Sequence, residues 1–361
     1  MSTPGVSLIM PAYNHEKYVG EAIESVLNQT FRDFEFIIIN DGSTDGTDGV
    51  IRSYDDPRIC YYTQENIDAP QTINRGFSLA KGRYISIINS DDVYPPERLA
   101  FLTEIAESTG ARFVITGLEF INDFSEPIND PSHPNVEWYE RLKSKYLEGG
   151  SIERTFLIGN LAVTSSNFFF KAEVLRDLGQ LNIYKYVHDY DFVLRSILEY
   201  RDKFHALTDE KHLLYRVHSQ NTLKQYPAAL RLEVFELLIN FLPDFMQDKK
   251  NKDLLNSIKH IFTESQTNSP SDQSSIKKRT ETFTNLIYMV GASIKNEEDK
   301  ARVEAARERM KLINDFLFLE DTLIWKFTSP LKWIYYNMPA SLKTSSPIQW
   351  LHSKFLQLIK N

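Results

Sequence analysis

Arg83 to Asp92 reads Arg-Tyr-Ile-Ser-Ile-Ile-Asn-Ser-Asp-Asp, an apolar run rich in β-branched residues that ends abruptly in two adjacent carboxylates. The run has the composition of a buried central strand. Its acids then sit at the carboxyl end, where ligands bind in open α/β sheets. Two neighbouring anions repel, so a cation is expected to join them. A hard divalent metal, held in part by phosphates of a ligand, suits one or two carboxylates. A solvated acidic turn before a helix starting at Pro95-Pro96 would use the same residues, so the surrounding chain has to decide.

Upstream, the same grammar repeats. Val6 to Met10 and Phe34 to Ile39 are apolar runs, and Arg58 to Gln64 reads as a third strand. Between the first two, Tyr18, Val19, Ala22, Ile23, Val26 and Leu27 recur at helical spacing, with Glu16, Glu21 and Glu24 near the start where the helix dipole favours acids. After the second run, Asn40-Asp41-Gly42-Ser43-Thr44-Asp45 forms a tight exit turn in which Ser43, Thr44 or Asp45 can cap the next helix. A short helix is expected over Gln71 to Ala80. Strands alternating with helices through short connections predict a parallel, doubly wound sheet. Tyr13, Asp41 and Asp91 should then face one crevice.

Downstream, a helix from Pro96 to about Ser108 and a strand from Ala111 to Ile121 are expected. A proline-rich, lid-like loop follows over 126–134, then a helix near Val136 to Leu147. Thr164 to Phe170 reads as a strand, Lys171 to Leu178 as a helix, and His188-Asp189-Tyr190-Asp191 as the acidic start of another. Lys203 to Leu207 and Leu213 to His218 read as short strands. From about 226 the pattern is helical, with a polar linker near 264–280, which predicts a domain boundary near 225.

Composition narrows the partners. With 361 residues the chain can bury an ample core, and its single cysteine, Cys60, rules out an intrachain disulfide. Nothing at the amino terminus reads as a signal segment and no run is long enough to span a bilayer, so a cytoplasmic location is expected. A net charge of −8 argues against a nucleic-acid binder. The segment 322–361 differs from the rest, with Trp325, Trp333 and Trp350, five lysines and no acid. Such a tail suits peripheral contact with anionic lipid at the inner face of the cell membrane, and would equally suit a helical cap or an oligomer contact.

Three acidic positions at strand ends or helix starts, Asp41, Asp91 with Asp92, and Asp189, permit a division of labour. One acid can hold a base or ribose, one a metal, one a proton. A sugar nucleotide poses that problem, because its diphosphate needs a cation and the incoming hydroxyl needs a general base.

Taken with Val6-Ser7-Leu8-Ile9-Met10-Pro11-Ala12-Tyr13-Asn14, Glu65-Asn66 and Asn74-Arg75-Gly76, these motifs make residues 6 to about 222 resemble a family 2 glycosyltransferase of the GT-A fold. The resemblance implies an inverting enzyme that uses a nucleotide-diphosphate sugar with Mn²⁺ or Mg²⁺, and a glycan or lipid-linked acceptor. It places Pro11 and Tyr13 at the nucleobase, Asp41 at the base or ribose, and Arg75 near the phosphates or ribose. Asp91 matches the final acid of the family's Asp-X-Asp motif and is the metal position, with Asp92 and His218 as further candidate metal contacts. Asp189 matches the catalytic base. Two departures stand out. Asn89 replaces the first acid of Asp-X-Asp, keeping hydrogen-bonding capacity toward a ribose and losing charge for a metal. His188 replaces the acid before the base and is expected to be neutral or directed toward the acceptor. These departures also suit a different class, a non-catalytic sugar-nucleotide or glycan-binding component of a polysaccharide assembly complex.

Overall fold

The apolar runs become strands β1 (Val6–Ala12), β2 (Phe34–Asp41), β3 (Ile59–Gln64) and β4 (Tyr84–Ile87). Each of β1, β2 and β4 is almost continuously buried, which is why its sequence does not alternate. With β5 (Phe113–Ile121), β6 (Phe169–Lys171) and β7 (Phe204–Arg216) they form one seven-stranded sheet in the order β3-β2-β1-β4-β6-β5-β7. All pairings are parallel except those of β6, which runs antiparallel to both β4 and β5. The computed structural model describes residues 3–218 apart from Gly150, and beyond them Asn221, Glu233, Val234, Leu237 and Phe241. The chain divides into two units, Met1–Asp272 and Gln273–Asn361, and the described residues lie in the first. The helical region expected from 226, its linker and the 322–361 tail therefore fall almost wholly outside the described residues.

Helices flank the sheet. In α1 (Val19–Leu27), Val19, Ala22, Ile23 and Val26 are fully buried, the stripe that the spacing predicts. Next come α2 (Thr47–Arg52), α3 (Ala69–Leu79), α4 (Arg98–Thr109) and α5 (Pro134–Leu147). The structure adds α6 (Ile152–Ile158), which the sequence reading does not contain, before α7 (Glu173–Leu178) and α8 (His188–Tyr200). α8 buries Phe192, Val193, Leu194 and Ile197. Phe192 meets an aromatic core in which the Phe113 ring stacks between Phe170 and Phe204, with centroids 5.3 and 5.1 Å away. Each phenylalanine so buried contributes roughly 1.5–3 kcal/mol.

Two stretches differ from expectation for physical reasons. Thr164 to Phe170 is strand only from Phe169. Before it, Ser165–Asn167 is a 3-10 turn, because the Thr164 hydroxyl takes the Ser166 amide and the Asn167 side chain takes the Thr116 amide, which removes those groups from a ladder. The two short strands near 203–218 are one strand, β7, whose pairing with β5 shifts register at Gly117. A Cβ at Gly117 would stand 2.3 Å from the Thr208 carbonyl oxygen, so only glycine admits that close approach. Among the described residues, no helix is long and apolar enough to cross a membrane.

Candidate active site

The carboxyl ends of β1, β2 and β4 open into a cavity of about 520 Å³, within the range of small-ligand sites. Its edges are tied together by side chains. Asn14, with φ at 52°, accepts the Thr44 amide at 2.8 Å, and its own amide donates to Ser43 Oγ at 3.0 Å. Asparagine tolerates this left-handed geometry, so the exits of β1 and β2 are held in register. Gly42 has φ 73°, and a Cβ there would lie 2.7 Å from the Asn66 amide nitrogen. Pro11, Tyr13, Asp41, Asn89, Asp91 and Asp189 all line the cavity. Tyr13 is 46% exposed, a large ring without burial of its own.

Asp41 does not cap the helix after it. It accepts Gln64 Nε2 at 2.6 Å and the Ile67 amide at 3.0 Å, which leaves Oδ2 without a protein hydrogen bond among the described residues. Arg75, expected near the phosphates, is not among the lining residues. Its guanidinium donates to Gln64 Oε1 at 2.7 Å and to the Thr63 carbonyl at 3.2 Å, and lies over the Tyr62 ring. It therefore reaches the cavity only by orienting Gln64 against Asp41. The Asn89 side chain is bound to Thr164 Oγ1 at 2.9 Å and to Ser165 Oγ at 3.2 Å.

The two carboxylates at the end of β4 part company. Asp91, with its side chain 12% exposed, has Oδ2 2.9 Å from His218 Nε2. Burial works to raise its carboxyl, but His15 and His218 outweigh that and hold it below the usual carboxylate range. Asp92 turns inward, accepting Ser166 Oγ at 2.5 Å and the Arg216 amide at 3.0 Å. Burial, with the charge of Asp91, pushes its carboxyl well above the ordinary value. It thus ties β7 to the end of β4, and of the expected metal contacts Asp92 is the one whose carboxylate is taken up by Ser166 and the Arg216 amide. Potential metal donors of His15, Asp91 and His218 lie within 4.8 Å of one another. His15 was absent from the sequence reading; its only signal is an imidazole in the loop that leaves β1. Among the described residues, Asp41, Asp68, Asp91 and Asp189 line the cavity against one ammonium, that of Lys185, so a diphosphate would need a cation there. A carboxylate beside imidazoles is a donor set that fits one.

Asp189 lies in the first turn of α8, with Val187 as the N-cap. Burial pushes its carboxyl up to about 7. The Tyr190 amide at 2.7 Å and Asn160 Nδ2 at 3.2 Å act against that rise. His188 is neutral as expected, its pKa lowered by burial to about 4, so no imidazolium depresses the neighbouring acid. Asp191 is a different case: it pairs with Arg195 at 2.8 Å and takes both its oxygens to Asn182. The loop before α8 is braced from outside the expected catalytic segment, since the Glu233 carboxylate accepts the Lys185 and Tyr186 amides at 3.1 and 2.7 Å.

A mostly parallel sheet with an acidic crevice across the carboxyl ends of its central strands, closed by an acid at a helix start, defines a glycosyltransferase of the GT-A class. The family model for Glycosyl transferase family 2 matches residues 7–179, and that segment belongs to the family. An uncharacterized glycosyltransferase of Rickettsia typhi is 29% identical over 239 residues, covering 65% of this chain and 70% of the relative. TuaG of Bacillus subtilis, a glycosyltransferase assigned to teichuronic acid biosynthesis, is 33% identical over 133 residues, 36% of this chain and 53% of TuaG. The chain thus spans about half the length of that second relative. Among solved structures, S. aureus TarS 1-349 in complex with UDP-GlcNAc is similar with a TM-score of 0.56 at 18% identity, covering 84% of this chain and 88% of that one, a likeness of fold.

Proposed function

We propose that the chain transfers a sugar from a nucleotide-diphosphate donor to a hydroxyl acceptor, with inversion at the anomeric carbon. The observation that carries this reading is Asp189, a carboxyl raised to about 7 in the same cavity as Asp91, whose carboxylate is backed by the buried His218. A base near neutrality is both ionised in part and basic enough to accept a proton. The acceptor oxygen attacks the anomeric carbon, the bond to the diphosphate oxygen breaks with its electron pair, and the acceptor proton passes to Asp189. Pro11 and Tyr13 flank the nucleobase, and Asp41 Oδ2 accepts a hydrogen bond from base or ribose. Asn89, tied to Thr164 and Ser165, shapes the ribose side. Asp91 and His218 hold Mn²⁺ or Mg²⁺, which when bound offsets the charge of the diphosphate.

Replacing Asp189 with Asn tests the base. Incubation with UDP-, GDP- and dTDP-sugars plus Mn²⁺ and an acceptor mixture should show nucleotide release lowered by roughly 10²–10⁴-fold. Donor binding by calorimetry should stay nearly intact. Normal turnover in the variant would remove Asp189 from the role. The second reading, a non-catalytic sugar-nucleotide or glycan-binding component, is favoured by the uncharged Asn89; tight nucleotide binding without release from any donor would select it. Likeness to TuaG supports a setting in envelope polysaccharide assembly, with a glycan or lipid-linked acceptor. Residues 322–361 would then bring the enzyme to the inner face of the membrane.

A further inference from the structure

We propose that His15 is a third protein donor to the cation at Asp91 and His218, giving a site of two imidazoles and one carboxylate that selects transition ions over Mg²⁺. The proposal rests on the reading of Asp91 and His218 as cation ligands and adds to it a residue from the loop that leaves β1, the strand paired with β4.

Geometry comes first. Asp91 Oδ2 and His218 Nε2 are 2.9 Å apart, and adjacent ligands of an octahedral ion with bonds of about 2.1 Å are separated by about 3 Å. A donor atom of His15 lies within 4.8 Å of both, so a small side-chain rotation closes the third position. The ring is already steered. Its Nδ1 is hydrogen-bonded with Ser90 Oγ at 2.8 Å, its backbone amide donates to Thr47 Oγ1 at 2.9 Å, and its edge meets the His218 ring with centroids 5.7 Å apart. Hydrogen bonds of this kind fix ring orientation in metal-binding imidazoles. On the partner side, His218 is 2% exposed and its Nδ1 has no hydrogen-bond partner among the described residues. That ring packs against Tyr18 and His15, and its side-chain hydrogen bond among the described residues is the one with Asp91.

The other donors in the run are spent. Asn89 is bound to Thr164 and Ser165, and Asp92 is turned to Ser166 and the Arg216 amide. Asp91 is the one carboxylate that remains of this run. A single carboxylate with waters and phosphates would suit Mg²⁺, whereas imidazole nitrogens shift preference toward transition ions. Affinity should then rise from Mn²⁺ through Co²⁺, with Zn²⁺ also above Mn²⁺. Mg²⁺ should fall far behind.

The test uses the full chain, with Mn²⁺ as probe, alone and with UDP. Free Mn²⁺ is followed by electron paramagnetic resonance, and coordinated ¹⁴N by electron spin echo envelope modulation. Two imidazole nitrogens should couple to the bound ion in the wild type and one in His15→Ala. The dissociation constant should rise roughly tenfold or more in that variant, the scale of losing a donor or its support. Excess Mg²⁺ should displace Mn²⁺ poorly from the wild type and more readily from the variant. One coupled nitrogen in the wild type, or unchanged affinity and coupling in His15→Ala, overturns the proposal. The wild-type spectrum decides the matter even if the variant fails to fold. Mn²⁺ held by two imidazoles without sugar transfer would uphold this site while sinking the proposed function, and a turnover-competent protein with one coupled nitrogen would do the reverse.

Discussion

At the residue scale, the base proposed at Asp189 carries a cost in stability. Its carboxyl stands at about 7 against an ordinary 3.8, raised by burial. Turnover should therefore climb with pH through a midpoint near 7, and the limb should vanish in Asp189→Asn. Stability has the opposite sign. Because the folded pKa lies above the unfolded one, the protonated acid favours the folded state; that contribution is complete below about 3.8 and is lost as pH rises toward 7. Thermal melts should show Asp189→Asn gaining on the wild type between pH 4 and 7, and a constant gap above that. A variant stability that stays level with, or falls relative to, the wild type between pH 4 and 7 would show that the carboxyl is not raised. Asp41, Asp91 and Asp189 were legible because each ends an apolar run or opens a helix. Their partners were not. Gln64 reaches Asp41 across 23 positions and Asn160 reaches Asp189 across 29, contacts fixed by packing with no local signature. The partner of Arg75 was hidden for the same reason, since helix α3 hands its guanidinium to Gln64 on β3.

Among the elements, β7 is the one that the site leans on. Arg216 is 1% exposed and binds the Asp91 carbonyl, the Asn122 carbonyl, Ser125 Oγ and the Glu21 carboxylate, while its amide rests on Asp92. Asp92→Ala leaves the Ser166 hydroxyl and the Arg216 amide without their acceptor and should cost about 1–3 kcal/mol per stranded group. Asp92→Asn keeps a carbonyl oxygen for one of them and should cost less. Both variants, once folded, should bind Mn²⁺ within about twofold of wild type, because the carboxyl points away from the cavity; chemical denaturation and Mn²⁺ titration check the two halves separately. Loss of Mn²⁺ binding with unchanged stability would return Asp92 to the metal. From sequence, Asp91 and Asp92 look alike. What separates them is a turn of the backbone that points one at His218 and the other at Ser166, which no neighbouring residue type announces.

For the whole molecule, the alternation of apolar runs and helical stripes was enough to read the parallel sheet, since strands buried on both faces must be continuously apolar. The antiparallel insertion of β6 was not readable, because three residues of strand leave too short a pattern and Thr164 to Asn167 look extended until their side chains are seen to bind backbone. Charge acts at this scale as well. A chain of net charge −8 ends in forty residues with five lysines, three tryptophans and no acid. Each lysine near an anionic surface contributes about 1 kcal/mol at low salt. The full chain should sediment with phosphatidylglycerol vesicles, less so as salt rises, and a chain ending at Asp321 should not. Equal sedimentation of both would remove the tail from any membrane role.

The distance along the chain between the two halves of the cation pair has a consequence for synthesis. Asp91 and His218 are separated by 127 positions, and His218 follows directly on the strand that Arg216 locks into place. A polypeptide still emerging from the ribosome carries β1 to β4, with Pro11, Tyr13 and Asp41, long before His218 exists. Such a nascent chain could dock a nucleotide without being able to grip its diphosphate through both ligands. On the proposed reading, the cation site is therefore completed only after the last strand of the sheet has been translated.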